Sequence, residues 1–151
     1  ANVHGHTYKL EVLLKGAPIE VVPLNMSSTR QDADEHYKSI SNEGFVMDFY
    51  ELKTTVNELI VDKMDHAFLA RGDEPIFQTI IDTGVKYFEL GFRTTVENMS
   101  RYICWTLLRA GLPVHSIRLW ETPTGWAETM AEDIDHTRAL SFSDRGQCDV
   151  D

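Results

Sequence analysis

A histidine pair that runs straight into an alternating strand opens the chain, and no other stretch constrains the fold as much. His4 and His6 flank Gly5, and Tyr8, Leu10, Val12 and Leu14 continue on the same parity. Thr7, Lys9 and Glu11 take the other parity. Side chains alternate across a strand with period two, so the pattern predicts a strand over 6–14 whose apolar face also carries both imidazoles. Two imidazoles on one face are two ligands of a zinc site, and a catalytic zinc takes three protein ligands and an open fourth position. Gly5 adds no side chain and admits close approach. On its own, an H-x-H also describes two half-exposed strand histidines.

The rest of the chain reads as alternating structure and punctuation. Lys15-Gly16-Ala17-Pro18 is a turn signal. Residues 19–24 are apolar and are expected to continue the sheet. Residues 25–42 are polar and aperiodic, which predicts a long exposed loop with His36 solvated. A second strand is expected over 44–47. Asp48 then suits a helix N-cap with Glu51 as capping-box partner. Phe49, Leu52, Val56 and Leu59 make one apolar helix face over 49–61. A short helix over 76–81 ending at Gly84 and a short strand over 85–88 come next. Thr94 and Glu97 fit a capping box for a second long helix, with an apolar stripe of Val96, Met99, Ile103, Leu107 and Ala110. Gly111 and Pro113 end it. Strands follow over 114–120 and from Trp126 to Met130, joined by Pro123-Thr124-Gly125. The order is ββααββ: an α+β layer in which a four-stranded antiparallel sheet carries two helices on one face. Residues 1–132 form the domain, and 133–151 read as a polar, acidic tail.

Composition limits the partners. The 151 residues carry a formal net charge of −10, which repels nucleic-acid phosphates and anionic membranes, so neither partner is expected. No apolar run reaches the length of a membrane span. The two cysteines, Cys104 and Cys148, are far apart and outside any C-x-x-C. That argues against a disulfide framework or a cysteine zinc site and suits a reducing cytoplasm.

Four further motifs follow the histidine pair: Gly44-Phe45-Val46-Met47-Asp48-Phe49, Met64-Asp65-His66-Ala67-Phe68-Leu69, Thr95-Val96-Glu97-Asn98, and Trp120-Glu121-Thr122-Pro123. Asp65-His66 suggests an acid holding a histidine in one tautomer, although a histidine at a helix C-terminus is also favoured by the dipole. Glu121, at a strand end, can accept two parallel hydrogen bonds from a ring amino group and its neighbouring N–H. In this order the motifs resemble the 6-pyruvoyl-tetrahydropterin synthase / 6-carboxy-tetrahydropterin synthase family, from about His4 to Glu128.

The resemblance implies a tunnelling fold and a zinc-dependent reaction on 7,8-dihydroneopterin triphosphate, a small-molecule pterin. It implies zinc ligation by His4 and His6, catalysis by Asp65 and His66 with a cysteine, and pterin binding by Glu121 with Thr95 and Glu97. Capping of the second helix is a rival explanation for Thr95 and Glu97. The carboxy branch of the family places the cysteine four residues before the first histidine, immediately ahead of Ala1, and the third zinc histidine further upstream. Val3 and Thr7 around the pair favour that branch, which serves queuosine precursor synthesis, over the 6-pyruvoyl branch. A non-catalytic pterin-binding relative is the alternative from another class. Homo-hexamers built from two stacked trimers, with sites at subunit interfaces, are also implied. Lys9, Arg93, Arg101 and Arg118 are the cations near the motifs, with no choice among them for the triphosphate.

Overall fold

A computed structural model describes residues 5–24, 27 and 29–135, together with the backbone of 146–147. It is a mixed α and β structure. The principal sheet has three antiparallel strands in the order β1–β4–β5: β1 is Lys9–Leu14, β4 is Val114–Trp120 and β5 is Trp126–Met130. The sequence alternation sets its faces. Leu10 pairs with Leu119 and Val12 with Ile117, while Ala127 and Thr129 stand opposite Leu119 and Ile117 on the far side. These residues share one face, and helix α5 (Val96–Arg109) covers it with Met99, Tyr102, Ile103, Cys104 and Leu107, all buried. Each such apolar side chain contributes on the order of 1.5–3 kcal/mol when fully removed from water. The opposite face carries Lys9, Glu11, Arg118 and Glu128, with Trp120 and Trp126 paired across the strands at 5.5 Å between ring centroids. The two tryptophans thus pack against each other on that face of the sheet.

A second sheet joins β2 (Phe68–Arg71) in parallel to β3 (Tyr87–Leu90), with helix α4 (Phe77–Asp82) as the crossover. A short strand β6 (Gly146–Gln147) pairs antiparallel to β3. The strand β2 was not foreseen, and β3 lies two residues later than the expected 85–88. Gly84 does end α4, with φ +71°.

The stretch between β1 and the first long helix departs from expectation. Residues 44–47 form no strand, and neither do 19–24. Instead the two stretches touch through Ile19, whose N–H donates to Phe45 O at 2.8 Å and whose carbonyl accepts from Gly44 N–H at 3.0 Å. The polar segment read as a loop contains helix α1 (Arg30–Ser41). Its capping box is complete: Asp32 N–H donates to Thr29 Oγ1 at 3.2 Å, and Thr29 N–H donates to Asp32 Oδ2 at 2.5 Å. The helix is tied to the chain ahead of it. Val22 N–H donates to the buried Ser39 Oγ at 2.9 Å, and His36 Nδ1 lies 2.5 Å from Val22 O. His36 is therefore partly buried and partnered rather than solvated.

Helix α2 (Phe49–Val56) starts at Asp48, whose carboxylate accepts from Tyr50 N–H at 2.6 Å. It continues through a π-helical turn (Asn57–Val61) into a last turn, α3 (Asp62–Met64). Leu52, Val56 and Leu59 join the core as predicted, but Phe49 does not: it is 77% exposed. At α5 the cap is Thr95 rather than Thr94, accepting from Asn98 N–H at 3.4 Å. Gly111, with φ +86°, ends the helix. Past β5, Ile134 is buried in the main core, so the first residues of the expected tail belong to the packed body. Among the described residues no helix is long and apolar enough to cross a membrane.

Candidate active site

The register of β1 against β4 assembles the first part of the site. Lys9 pairs with Trp120, so Tyr8 and Glu121, one step beyond, meet at the open end of the ladder. Both lie on the face covered by α5. His6 shares the parity of Tyr8, and their ring centroids are 5.9 Å apart. His6 Nε2 lies 3.6 Å from Glu121 Oε1, each side chain about one-third exposed. The Tyr8 hydroxyl faces the Glu121 carboxylate. Burial first, then the proximity of the Glu121 carboxylate, push the Tyr8 hydroxyl up from its ordinary range. Glu121 is steadied through its backbone, since its N–H donates to Gly125 O at 2.9 Å across the turn that follows β4. The turn is closed by Thr122 Oγ1, which accepts from Gly125 N–H at 2.8 Å. The arrangement leaves a carboxylate at a strand end beside an imidazole and a phenol, a set suited to gripping a planar ring with adjacent N–H donors.

Topology brings Thr95 and Glu97 toward the same end. Helix α5 and β4 are joined by a short turn, so β4 runs back along the helix and its carboxyl end approaches the helix N-terminus. Thr95 is the N-cap and Glu97 lies in the first turn, both exposed. The capping role is thus realised for Thr95, and Asn98 Nδ2 adds a bond to Arg93 O at 3.0 Å.

Asp65 and His66 form a separate pair on the turn after α3. Asp65 Oδ2 and His66 Nε2 are 3.8 Å apart, in ion-pair range but beyond a hydrogen bond, with the side chains 64% and 92% exposed. His66 has φ +54°, the one positive φ among the described non-glycine residues. A left-handed L-residue costs about 1–2 kcal/mol, which the surrounding turn must offset. Lys86 was not singled out in the sequence, yet its ammonium donates to Asp62 O at 2.6 Å and Asp65 O at 2.8 Å. No motif announces it, because the contact depends on β3 passing beneath the helix end.

Three donors are needed for a catalytic zinc. His6 is described, while His4 lies outside the described residues. Among the described residues no three His, Cys, Asp or Glu side chains are grouped so that they could hold a metal. The described donors therefore do not make a zinc site by themselves. Cys104 is no substitute nucleophile: it is fully buried in α5, and burial pushes its thiol up to about 11. Of the four cations, Lys9 is 2.6 Å from Glu11, and Arg118 bridges Glu11 at 3.6 Å and Glu128 at 3.3 Å on the face away from Glu121. His115 is partly buried in β4, and His136 lies outside the described residues.

A family model described as 6-pyruvoyl tetrahydropterin synthase matches residues 1–132. The chain belongs to this family. Every candidate residue of this tetrahydropterin synthase family member falls inside the matched span. A 6-carboxy-5,6,7,8-tetrahydropterin synthase of Haemophilus influenzae is 36% identical over 132 residues, covering 84% of this chain and 81% of that protein. An Aquifex aeolicus protein of the same name is 28% identical over 144 residues, covering 87% and 75%. A 6-pyruvoyl tetrahydrobiopterin synthase of Dictyostelium discoideum is 30% identical over 123 residues, covering 80% of this chain and 65% of that protein.

Proposed function

We propose that the chain is a 6-carboxy-5,6,7,8-tetrahydropterin synthase. The observation that carries the reading is the 36% identity to the Haemophilus protein of that name over 132 residues, a span that includes Glu121 and Asp65-His66. The substrate would be 7,8-dihydroneopterin triphosphate. With water, it would yield 6-carboxy-tetrahydropterin, acetaldehyde and triphosphate, a step toward queuosine precursors in the cytoplasm.

Each residue has a role its chemistry permits. Glu121 accepts hydrogen bonds from the pterin amino group and ring N–H, and the Tyr8 hydroxyl fixes which oxygen is presented. Thr95 and Glu97 line the adjoining helix terminus. His66 takes and returns a proton at the substrate side chain, with Asp65 near enough to stabilise the imidazolium. Zinc, with His4 and His6 as two of three ligands, would supply Lewis acidity at the side-chain oxygens. The finer architecture, a tunnelling fold assembled as two stacked trimers, belongs to the same proposal. The 30% identity to the Dictyostelium protein supports a second reading, the 6-pyruvoyl branch on the same residues.

The test is product analysis by mass spectrometry with 7,8-dihydroneopterin triphosphate, with His66→Ala in parallel. Acetaldehyde and the 6-carboxy product, lost in the variant, are expected. A 6-pyruvoyl product moves the chain to the second branch. No turnover with metal bound makes it a binding protein.

A further inference from the structure

We infer that Lys86 is a positioning residue for the Asp65–His66 pair, an inference that rests on the reading of that pair as catalytic. Lys86 brackets His66 from both sides. Its ammonium donates to Asp65 O at 2.8 Å, on the residue before the histidine, and its carbonyl accepts from Phe68 N–H at 2.9 Å, two residues after it. The same ammonium donates to Asp62 O at 2.6 Å. These two carbonyls belong to the end of the α2–π–α3 helix, where the last carbonyls have no intrahelical partner. An ammonium has three donors, and here two are spent on holding the helix end against β3. Lys63 ties the same turn to the same strand, its Nζ lying 5.9 Å from the centroid of the Phe88 ring.

The need for such a clamp follows from His66 itself. Its backbone is left-handed at φ +54°, and its side chain is 92% exposed, so the ring makes little packing that could hold the turn. Within the helix end, Asp65 N–H donates to Val61 O at 2.8 Å and Ala67 N–H to Met64 O at 3.2 Å. These bonds leave the Asp65 carbonyl to be fixed from outside, and Lys86 fixes it. A π-helical turn (Asn57–Val61), a feature frequent at functional sites, lies just upstream.

The experiment compares wild type, Lys86→Met, Lys86→Arg and His66→Ala in the full-length protein. It reads kcat and KM for 7,8-dihydroneopterin triphosphate, and amide exchange at residues 65–67. Lys86→Met keeps the aliphatic stem and removes the donors. Misplacing a catalytic group by about 1 Å can cost up to about a hundredfold, so kcat is expected to fall roughly tenfold or more with KM within about twofold. Exchange at 65–67 should quicken roughly tenfold while α5 is unchanged. Lys86→Arg, which can still reach a carbonyl, should recover most of both. Wild-type kcat in Lys86→Met, or a lower kcat with unchanged exchange at 65–67, overturns the inference. Should Lys86→Met not fold, Lys86→Gln, with no charge and a shorter reach, is read for the same two quantities. Full turnover in His66→Ala instead overturns the catalytic reading of the pair, and the exchange data then still decide whether Lys86 clamps the turn.

Discussion

Cys104 shows how burial alone sets the chemistry of a side chain. Its thiol rises from an ordinary 9.0 to about 11 because α5 and the sheet leave the thiolate no solvation. The raised value fixes the sign of a stability effect. Below pH 9 the thiol is neutral in both states, and the contribution is fully present. Between pH 9 and about 11 only the unfolded chain ionises, so stability is lost as pH rises through that window. At about 1.4 kcal/mol per unit, the loss attributable to Cys104 over this window approaches about 3 kcal/mol. Urea midpoints for wild type and Cys104→Ala read it directly, since other groups titrate alike in both. The cavity cost separating the two proteins should stay constant below pH 9 and shrink above it. A constant gap up to pH 11 would show that the folded thiol ionises normally. The residues of the proposed site are not enclosed in this way: the side chains of His6, Glu121, Asp65 and His66 are all partly or largely exposed.

Between elements, the α5–β5 contact is specified by one buried polar pair. Ser100 Oγ donates its only proton to Glu97 O at 2.9 Å, so Thr129 must be the donor in the 2.8 Å contact between the two hydroxyls. Ser100→Ala leaves the Thr129 hydroxyl without its acceptor and should destabilise by about 1–3 kcal/mol. The double variant Ser100→Ala/Thr129→Val removes both groups and should regain most of that loss in a urea titration. An additive double variant would mean that the hydroxyls act independently. The elements around this contact were legible because they obey strong periods. The strand β4 alternates over its whole length, β5 begins where Trp126 follows the turn, and α5 carries an apolar stripe closed by Gly111 and Pro113. Helix α1 was hidden because it buries only Ser39, so no apolar period marks it. Its one signal was Thr29-x-x-Asp32, a capping box with Asp in place of the usual Glu or Gln. The strand β2 was hidden because four residues are too few to show a period. Of the candidate site, the Glu121, Thr95 and Asp65-His66 motifs are the parts that the sequence offers as candidates. Tyr8 was assigned to the apolar face and not to the site, because its contact with Glu121 depends on strand register. Lys86 depends on tertiary packing alone.

For the whole molecule, the open question is what covers its edges. In the β1–β4–β5 sheet, β1 and β5 are each paired on one side only among the described residues. Such edges are templates for pairing with another chain. Phe49 and Tyr50, at 77% and 79% exposed, add adjacent aromatic surface at the start of α2. These features favour closed assembly, and the proposed stack of two trimers would satisfy both strand edges in a ring. Charge opposes it. Each chain carries −10, so bringing copies together concentrates like charge, and that repulsion is screened within about 10 Å at 0.1 M salt. Association should therefore strengthen as salt rises, the reverse of an interface held by ion pairs. Sedimentation velocity at micromolar protein in about 0.03 M and about 0.3 M salt distinguishes the cases, the Debye length falling roughly threefold between them. Species in multiples of three, more populated at the higher salt, are expected. A monomer at both salts would leave the strand edges open and would require Glu121 and Asp65–His66 to act within one chain.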